Sequence, residues 1–434
     1  MGLLHFAVRR VEEHEPHGDE YAQRDQRNKE DRHNNTSTRS LADHHTERGD
    51  GDHESVCSIV AIRPVGSNSA KLAGGALLNR RILSTLFLFA VVASLLLLYN
   101  ASEMPVSARP IGRVVEIPTP LGLPPVAIPA DNPPTAETIE LGRQLYFDPA
   151  LSGDGTVSCS SCHSPASGMA DTKPLSEGVG KKLGARNSPT VLNAAYYTLE
   201  FWDGRADSLE QQIEAPIQNP VEMAHSLRGV ERRLSADPEY VAEFQKAFGS
   251  GPITIHRVEN AIASFERTML SGNSPFDRWY YGHDEKAVGD AAKRGFEVFR
   301  DPKLGNCASC HTVNEHFALF TDNKFHNIGV GATEEKINDE GRYVVTNRES
   351  DLGAFKTPSL RNVALTAPYF HDGSRKTLKD TVDFYVGGGN SNPHLDKEVH
   401  SLNFLTGEQR ADLVSFMESL TGELPKIPTV AASK

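Results

Sequence analysis

Large apolar side chains are scarce in the first 79 residues of this 434-residue chain. The segment is crowded instead with Asp, Glu, Arg, Asn and seven of the chain's seventeen histidines. That leaves too little apolar surface to offset the entropy of ordering the backbone, so residues 1–79 read as a disordered tail and not as a packed domain. The histidines lack ligand-like spacing, which favours a solvated tail over a metal site. A translation start downstream of the segment is the other plain reading. Strand-like alternation is also scarce beyond residue 100, which points away from a β architecture. Cysteine is rarer still: five, with Cys57 in the tail and the other four in two short motifs. The net charge of −12 argues against a nucleic-acid partner.

One long apolar run is present. Arg80 and Arg81 precede eighteen apolar or small residues from Ile82 to Tyr99, enough to cross a bilayer and long for a signal-peptide core. The positive charge before the run places the rest of the chain outside the cytoplasm, in the periplasm. No small-x-small cleavage site comes after it, so residues 80–100 are expected to form an uncleaved transmembrane or signal-anchor segment. Nine prolines between Pro105 and Pro134 make residues 101–133 an extended, semi-rigid linker.

The body beyond the linker repeats itself. "GRQLYFDPAL" at 142–151 and "GFEVFRDPKL" at 295–304 share Gly, Asp-Pro and Leu, and each leads within a dozen residues to Cys-x-x-Cys-His. Each copy predicts a helix that stops at Asp-Pro, because proline disfavours helix in the residue before it, and then a loop that delivers the cysteines. Near the end, Thr406 is placed as an N-cap with Gln409 three residues on, and Leu413, Phe416, Met417 and Leu420 come after it at helical spacing. The fold expected is mostly α: two cytochrome c-like heme domains in tandem, at 134–285 and 286–424, with 425–434 as a tail.

A c-type heme needs two thiols about one helical turn apart, to bond its two vinyl groups, and an adjoining histidine to reach the iron. Cys159, Cys162 and His163 meet that need, as do Cys307, Cys310 and His311. A zinc site or a redox dithiol is the alternative for either motif. Two motifs in repeated contexts beyond a membrane segment favour two covalent hemes.

For about twenty residues after His163 there is no histidine, and the sole methionine is Met169. After His311 the sole methionine is Met417. The stretches "LGRQLYFDPALSGDGTVSCSSCH", "RNSPTVLNAAYYTLEFWDGRADSLEQQIEAPIQNPVEM" and "TPSLRNVALTAPYFHDGS" resemble the bacterial diheme cytochrome c peroxidase family, which includes the MauG-type enzymes. The resemblance runs from about residue 134 to 422. It implies that Trp202 lies between the hemes, and that Gln212, Pro216 and Glu222 lie over the distal face of the first, with Glu222 as the acid/base group. It also implies a calcium ion between the domains, held by Asn187 through its side chain and by Thr366 and Pro368 through their carbonyls.

Two departures set the subtype. Where relatives that need reductive activation carry a capping histidine, alignment on Gly178, Gly180 and Asn187 places Val179, which cannot ligate iron. Where they carry the methionine ligand of the second heme, this chain has Tyr385, the mark of the MauG-type branch. His326, His371 and His394 compete with Tyr385 for that place. The function expected is reduction of hydrogen peroxide at an open first heme, with electrons from a small redox protein (a cytochrome c or a cupredoxin) entering through the second. A peroxide-dependent oxidase that modifies aromatic residues of a partner protein and a non-catalytic electron carrier are the alternatives.

Overall fold

Two crossed helix pairs carry the architecture of the computed structural model, which describes Thr85 and residues 107–427. The expected tail 1–79 and, Thr85 apart, the expected anchor 80–100 lie outside the described residues. Among the described residues no helix is long and apolar enough to cross a membrane. In the first pair, α1 (Ala136–Phe147) packs on α6 (Ile255–Glu266); in the second, α8 (Asp290–Arg300) packs on α11 (Gly407–Glu418). Each crossing depends on a glycine of the repeat. A methyl group at Gly142 would lie 1.8 Å from the Ala261 carbonyl oxygen, and one at Gly295 would lie 2.0 Å from that of Asp412. Both repeat helices end at Asp-Pro, and α11 has the Thr406–Gln409 capping box.

Between the members of the first pair run α2 (Cys159–Cys162), α3 (Leu209–Gln218), α4 (Leu227–Ser235) and α5 (Pro238–Phe248); α7 (Pro275–Tyr280) joins the pairs, and α9 (Tyr343–Thr346) and α10 (Leu378–Gly387) run between the members of the second. The named strands are β1 (Phe325–His326) and β2 (Phe355–Lys356), antiparallel, with Phe325 opposite Lys356. One apolar cluster runs from Leu141 to Met269 and a second, rich in phenylalanine, from Phe276 to Leu420. Met417 is buried in the second, as the closing helix requires.

A second repeat emerges from the backbone. Ser188-Pro189-Thr190 and Thr357-Pro358-Ser359 each lead to an asparagine in left-handed conformation, Asn193 (φ 63°) and Asn362 (φ 60°). Each then continues to a phenylalanine at positive φ (Phe201, Phe370), a one-bridge turn, and a helix capped by Ser208 or Thr377. Superposing these segments residue for residue sets Trp202 on His371, Gln212 on Thr381 and Pro216 on Tyr385.

The proline-rich segment is extended, as its composition predicts, but residues 107–133 do not hang free as a tether. They form a strap across both halves of the body. Arg257 Nε donates to the Ser107 carbonyl (3.0 Å), Asn260 Nδ2 to that of Ala108 (2.9 Å), and the Ile111 amide to that of Ala247 (2.9 Å). Further along, Tyr196 Oη donates to the Pro124 carbonyl (2.8 Å), and the Gly122 carbonyl accepts from both Arg361 and the Ala318 amide. Proline removes backbone donors but keeps every carbonyl, so such a segment is rich in acceptors for buried arginines. The chain returns at its other end too: Ile427, expected in a tail, packs on the first apolar cluster.

Candidate functional site

Ser158 and Ser161 close a capping box around α2, and the His163 amide bonds back to the Cys159 carbonyl at 3.0 Å. That single turn puts both sulfurs and the imidazole on one cavity of about 1210 Å³. His163 Nδ1 donates to the Pro189 carbonyl at 2.9 Å. The second motif copies the arrangement: the His311 amide reaches the Cys307 carbonyl, and His311 Nδ1 donates to that of Phe320 at 2.9 Å. Its cavity is smaller, about 240 Å³. With Nδ1 committed, each imidazole keeps a lone pair on Nε2, the form in which histidine binds a metal.

The four thiols are free of disulfides. Burial pushes the Cys159 and Cys307 thiols up to about 12. That shift disfavours, at Cys159 and Cys307, the thiolate form on which a reactive dithiol depends. Paired thiols free of disulfides, a locked imidazole and an adjoining cavity fit a covalently attached heme in each half.

Over the first cavity, Gln212 and Pro216 lie one turn apart on α3, while Leu209, Ile213 and Ile217 of the same helix are buried in the core. The turn after α3 is tied by Asn219: its Nδ2 donates to Glu222 Oε1 at 2.7 Å and its Oδ1 accepts from the Val221 amide at 3.1 Å. Burial raises the Glu222 carboxyl above its ordinary value, against the pull of Arg205 and the Asn219 bond. The loop 178–182 lies directly on this turn. The Val179 amide donates to the Glu222 carbonyl at 2.7 Å, and a methyl group at Gly178 would come within 2.2 Å of the Val221 oxygen. Gly178 lines the cavity, whereas Val179 packs against the core.

The second cavity is lined by Tyr385, Met417, His326 and His371 together with the Cys307, Cys310 and His311 motif. Burial, reinforced by the nearby Cys310 and Cys307 sulfurs, raises the Tyr385 phenol far above its usual value. His326 donates from Nδ1 to Asp396 (2.6 Å) and from Nε2 to Asp322 (3.1 Å). The Asp322 bond leads the causes that raise it to about 11, so it is an imidazolium without a lone pair to offer. His371 stacks on Phe355 with ring centres 3.6 Å apart, and burial lowers it to about 4. His394 is not among the residues lining either cavity.

Trp202 lines both cavities. Its Nε1 donates to the Asn187 carbonyl at 2.9 Å, the Asn187 amide donates to the His371 carbonyl at 2.7 Å, and the Trp202 and His371 rings meet edge to face. Asn187, Thr366 and Pro368 all line the second cavity. The Asn187 Nδ2 donates to the Lys173 and Pro174 carbonyls at 3.1 and 3.3 Å. Pro189, Phe320, Asn219 and Arg205 were not picked out by the sequence, and Gly178 entered only as an alignment anchor. Three of the five act through the backbone or through a missing side chain, which residue type does not report.

The sequence model described as "Di-haem cytochrome c peroxidase" matches residues 136–285, and that described as "Cytochrome c" matches residues 292–421. The chain is 43% identical over 306 residues to the methylamine utilization protein MauG of Methylorubrum extorquens, covering 69% of this chain and 84% of that one. It is 38% identical to the cytochrome c551 peroxidase of Pseudomonas aeruginosa, covering 70% of this chain and 84% of that one. A crystal structure described as a MauG-like protein associated with microbial copper homeostasis superposes with a TM-score of 0.64 at 32% identity, over 70% of this chain and 95% of that chain.

Proposed function

The chain belongs to the di-haem cytochrome c peroxidase family, as an oxidoreductase acting on peroxide with two tandem heme-type domains, and from that premise we propose that hydrogen peroxide reacts in the His163 cavity without prior reduction of the protein. In this reading residues 134–285 form the peroxide-reacting domain and 286–424 the electron-entry domain, on the periplasmic side of a membrane segment at 80–100. The observation that carries it is the correspondence of Pro216 and Tyr385. At equivalent places on equivalent helices, one cavity has a ring with no donor atom and the other has a phenol.

The hemes, held by Cys159, Cys162 and His163 and by Cys307, Cys310 and His311, supply the redox chemistry when bound. The chain's own side chains do the rest. Glu222 takes a proton from the peroxide oxygen nearer the cofactor onto a carboxylate oxygen and returns it to the departing oxygen. Asn219 holds that carboxylate, and Gln212 positions the peroxide. Pro216 leaves the distal side of the first cavity free of a protein ligand, and Val179 leaves it uncapped. Tyr385 would supply its oxygen to the second heme, losing to the metal the proton that burial otherwise holds on the phenol, and an anionic oxygen there would favour oxidised iron. Trp202 offers an aromatic path between the cavities, and Asn187, Thr366 and Pro368 hold a calcium ion between the domains. The electron donor is a small cytochrome or cupredoxin. The identity to a MauG protein supports a second reading, oxidation of aromatic side chains on a partner protein through the same two cavities.

Electron paramagnetic resonance of the resting ferric protein tests the proposal. One high-spin and one low-spin signal are expected, with immediate reaction on adding peroxide. Two low-spin signals, and no reaction until an electron is supplied, would mean that another residue caps the first site. Mass spectrometry is expected to find two covalent hemes per chain, and fewer on fully matured protein would rule out the diheme assignment. Trp202→Phe is expected to preserve reaction at the first site and slow oxidation of the second. An unchanged second-site rate would send the electrons by another route.

A further inference from the structure

On the side of α3 that faces away from Gln212 and Pro216, Glu214 meets two residues of α6. Glu214, His256 and Glu259 each bring a ligand atom within 4.8 Å of the other two. His256 and Glu259 are three apart on α6 and share a face, with His256 Nδ1 donating to Glu259 Oε2 at 2.9 Å. The imidazole is 72% exposed, while the Glu259 side chain is only 6% exposed. The remaining oxygen of Glu259, Oε1, is buried without a hydrogen-bond partner. Glu214 presses a second carboxyl group against Glu259, whose own carboxyl burial raises to about 7. Buried polar atoms in folded proteins are paired as a rule, and two facing carboxylates beside an imidazole lack only a cation.

We propose that Glu214, His256 and Glu259 bind a divalent first-row cation of the Zn²⁺ type, clamping α3 to α6 on the outside of the first heme domain. One imidazole nitrogen and two carboxylate oxygens form a mixed set that suits zinc, with a fourth position left to water. Calcium, which takes six to eight oxygens, is a poor match. The cation displaces the proton between His256 and Glu259 and any proton the carboxylates share, so uptake releases protons.

The test uses Zn²⁺ on the full-length, heme-loaded protein after dialysis against a chelator. Calorimetric titration and thermal unfolding are read for wild type, His256→Ala, Glu214→Gln and Glu259→Gln. Histidines in residues 1–79 can also take up Zn²⁺, so the informative quantity is the component that depends on residue 256. Expected are one saturable equivalent and a Zn²⁺-dependent rise in unfolding temperature, both weakened by at least about tenfold in each variant, a typical loss for a disturbed metal site. Glu259→Gln removes a buried charge and is expected to fold, which separates loss of metal from loss of structure. The same Zn²⁺ response in wild type and His256→Ala would overturn the site. So would no folded-state response in wild type combined with a more stable Glu259→Gln, which would make the group a shared-proton pair.

Discussion

Glu222→Gln is expected to slow the reaction with hydrogen peroxide by about 10² to 10⁴, the usual range for an acid/base group, with both heme absorption spectra unchanged. The amide nearly matches the carboxylate in shape and can still meet Asn219, so the variant deletes proton transfer and little else. The raised carboxyl supplies a second readout. Burial favours its neutral form, so the base is lost as pH falls through a value above that of a solvent-exposed glutamate. The wild-type rate should therefore fall on the acid side at a raised apparent pKa, and that limb should vanish in the variant. A rate that is unchanged, or that keeps the same acid limb, would reduce Glu222 to a structural carboxylate.

Arg361→Met is expected to cost about 3–5 kcal/mol of stability, the range for removing one partner of a buried ion pair. Arg361 and Asp277 are 1% and 0% exposed, and the guanidinium meets both carboxylate oxygens at 2.9 and 3.0 Å. The same side chain donates to the Ala318 and Gly122 carbonyls. Methionine fills much of the space but leaves the Asp277 carboxyl without its guanidinium partner, and the Ala318 carbonyl without its donor, in an apolar core, while the Gly122 carbonyl keeps the Ala318 amide. For a body of this size the midpoint should fall by on the order of 10 °C in calorimetry of the heme-loaded protein. Arg361→Lys should recover only part of it, because an ammonium cannot match both oxygens and both carbonyls together. A midpoint within about 2 °C of wild type for Arg361→Met would show that the pair contributes little.

The heme motifs and the helices that precede them were legible because covalent chemistry demands a fixed spacing and Asp-Pro stops a helix wherever it occurs. Glu222 was legible only through resemblance to a family. By residue type alone, a glutamate in a turn reads as solvated, and its distinction comes from Asn219, Arg205 and the loop laid over it by Gly178. The partners of His163 and His311 were hidden because they are carbonyl oxygens, which every residue possesses. The correspondence of Pro216 with Tyr385 was present in the letters, but the loops between the first and second repeats differ in length, so no single offset aligns both. The strap was hidden for a physical reason: proline content predicts an extended backbone, and extension is equally compatible with hanging free and with lying in a groove.

That strap also constrains the order of events in maturation. Gly122 is made 239 residues before the Arg361 that holds it, and contacts so far apart in sequence form after local ones because their loop-closure entropy must be met first. The Ser107–Ile111 stretch needs only the first domain, since its partners are Ala247, Arg257 and Asn260. The Gly122 stretch needs residues of the second, Ala318 and Arg361. On either side of Gly122 the strap already has first-domain partners, Asn273 for the Leu121 carbonyl and Tyr196 for that of Pro124, so the Gly122 carbonyl is the point that waits for the last third of the chain. Until Ala318 and Arg361 are made, that one carbonyl has neither of its donors, and its pairing joins the strap to both halves of the body.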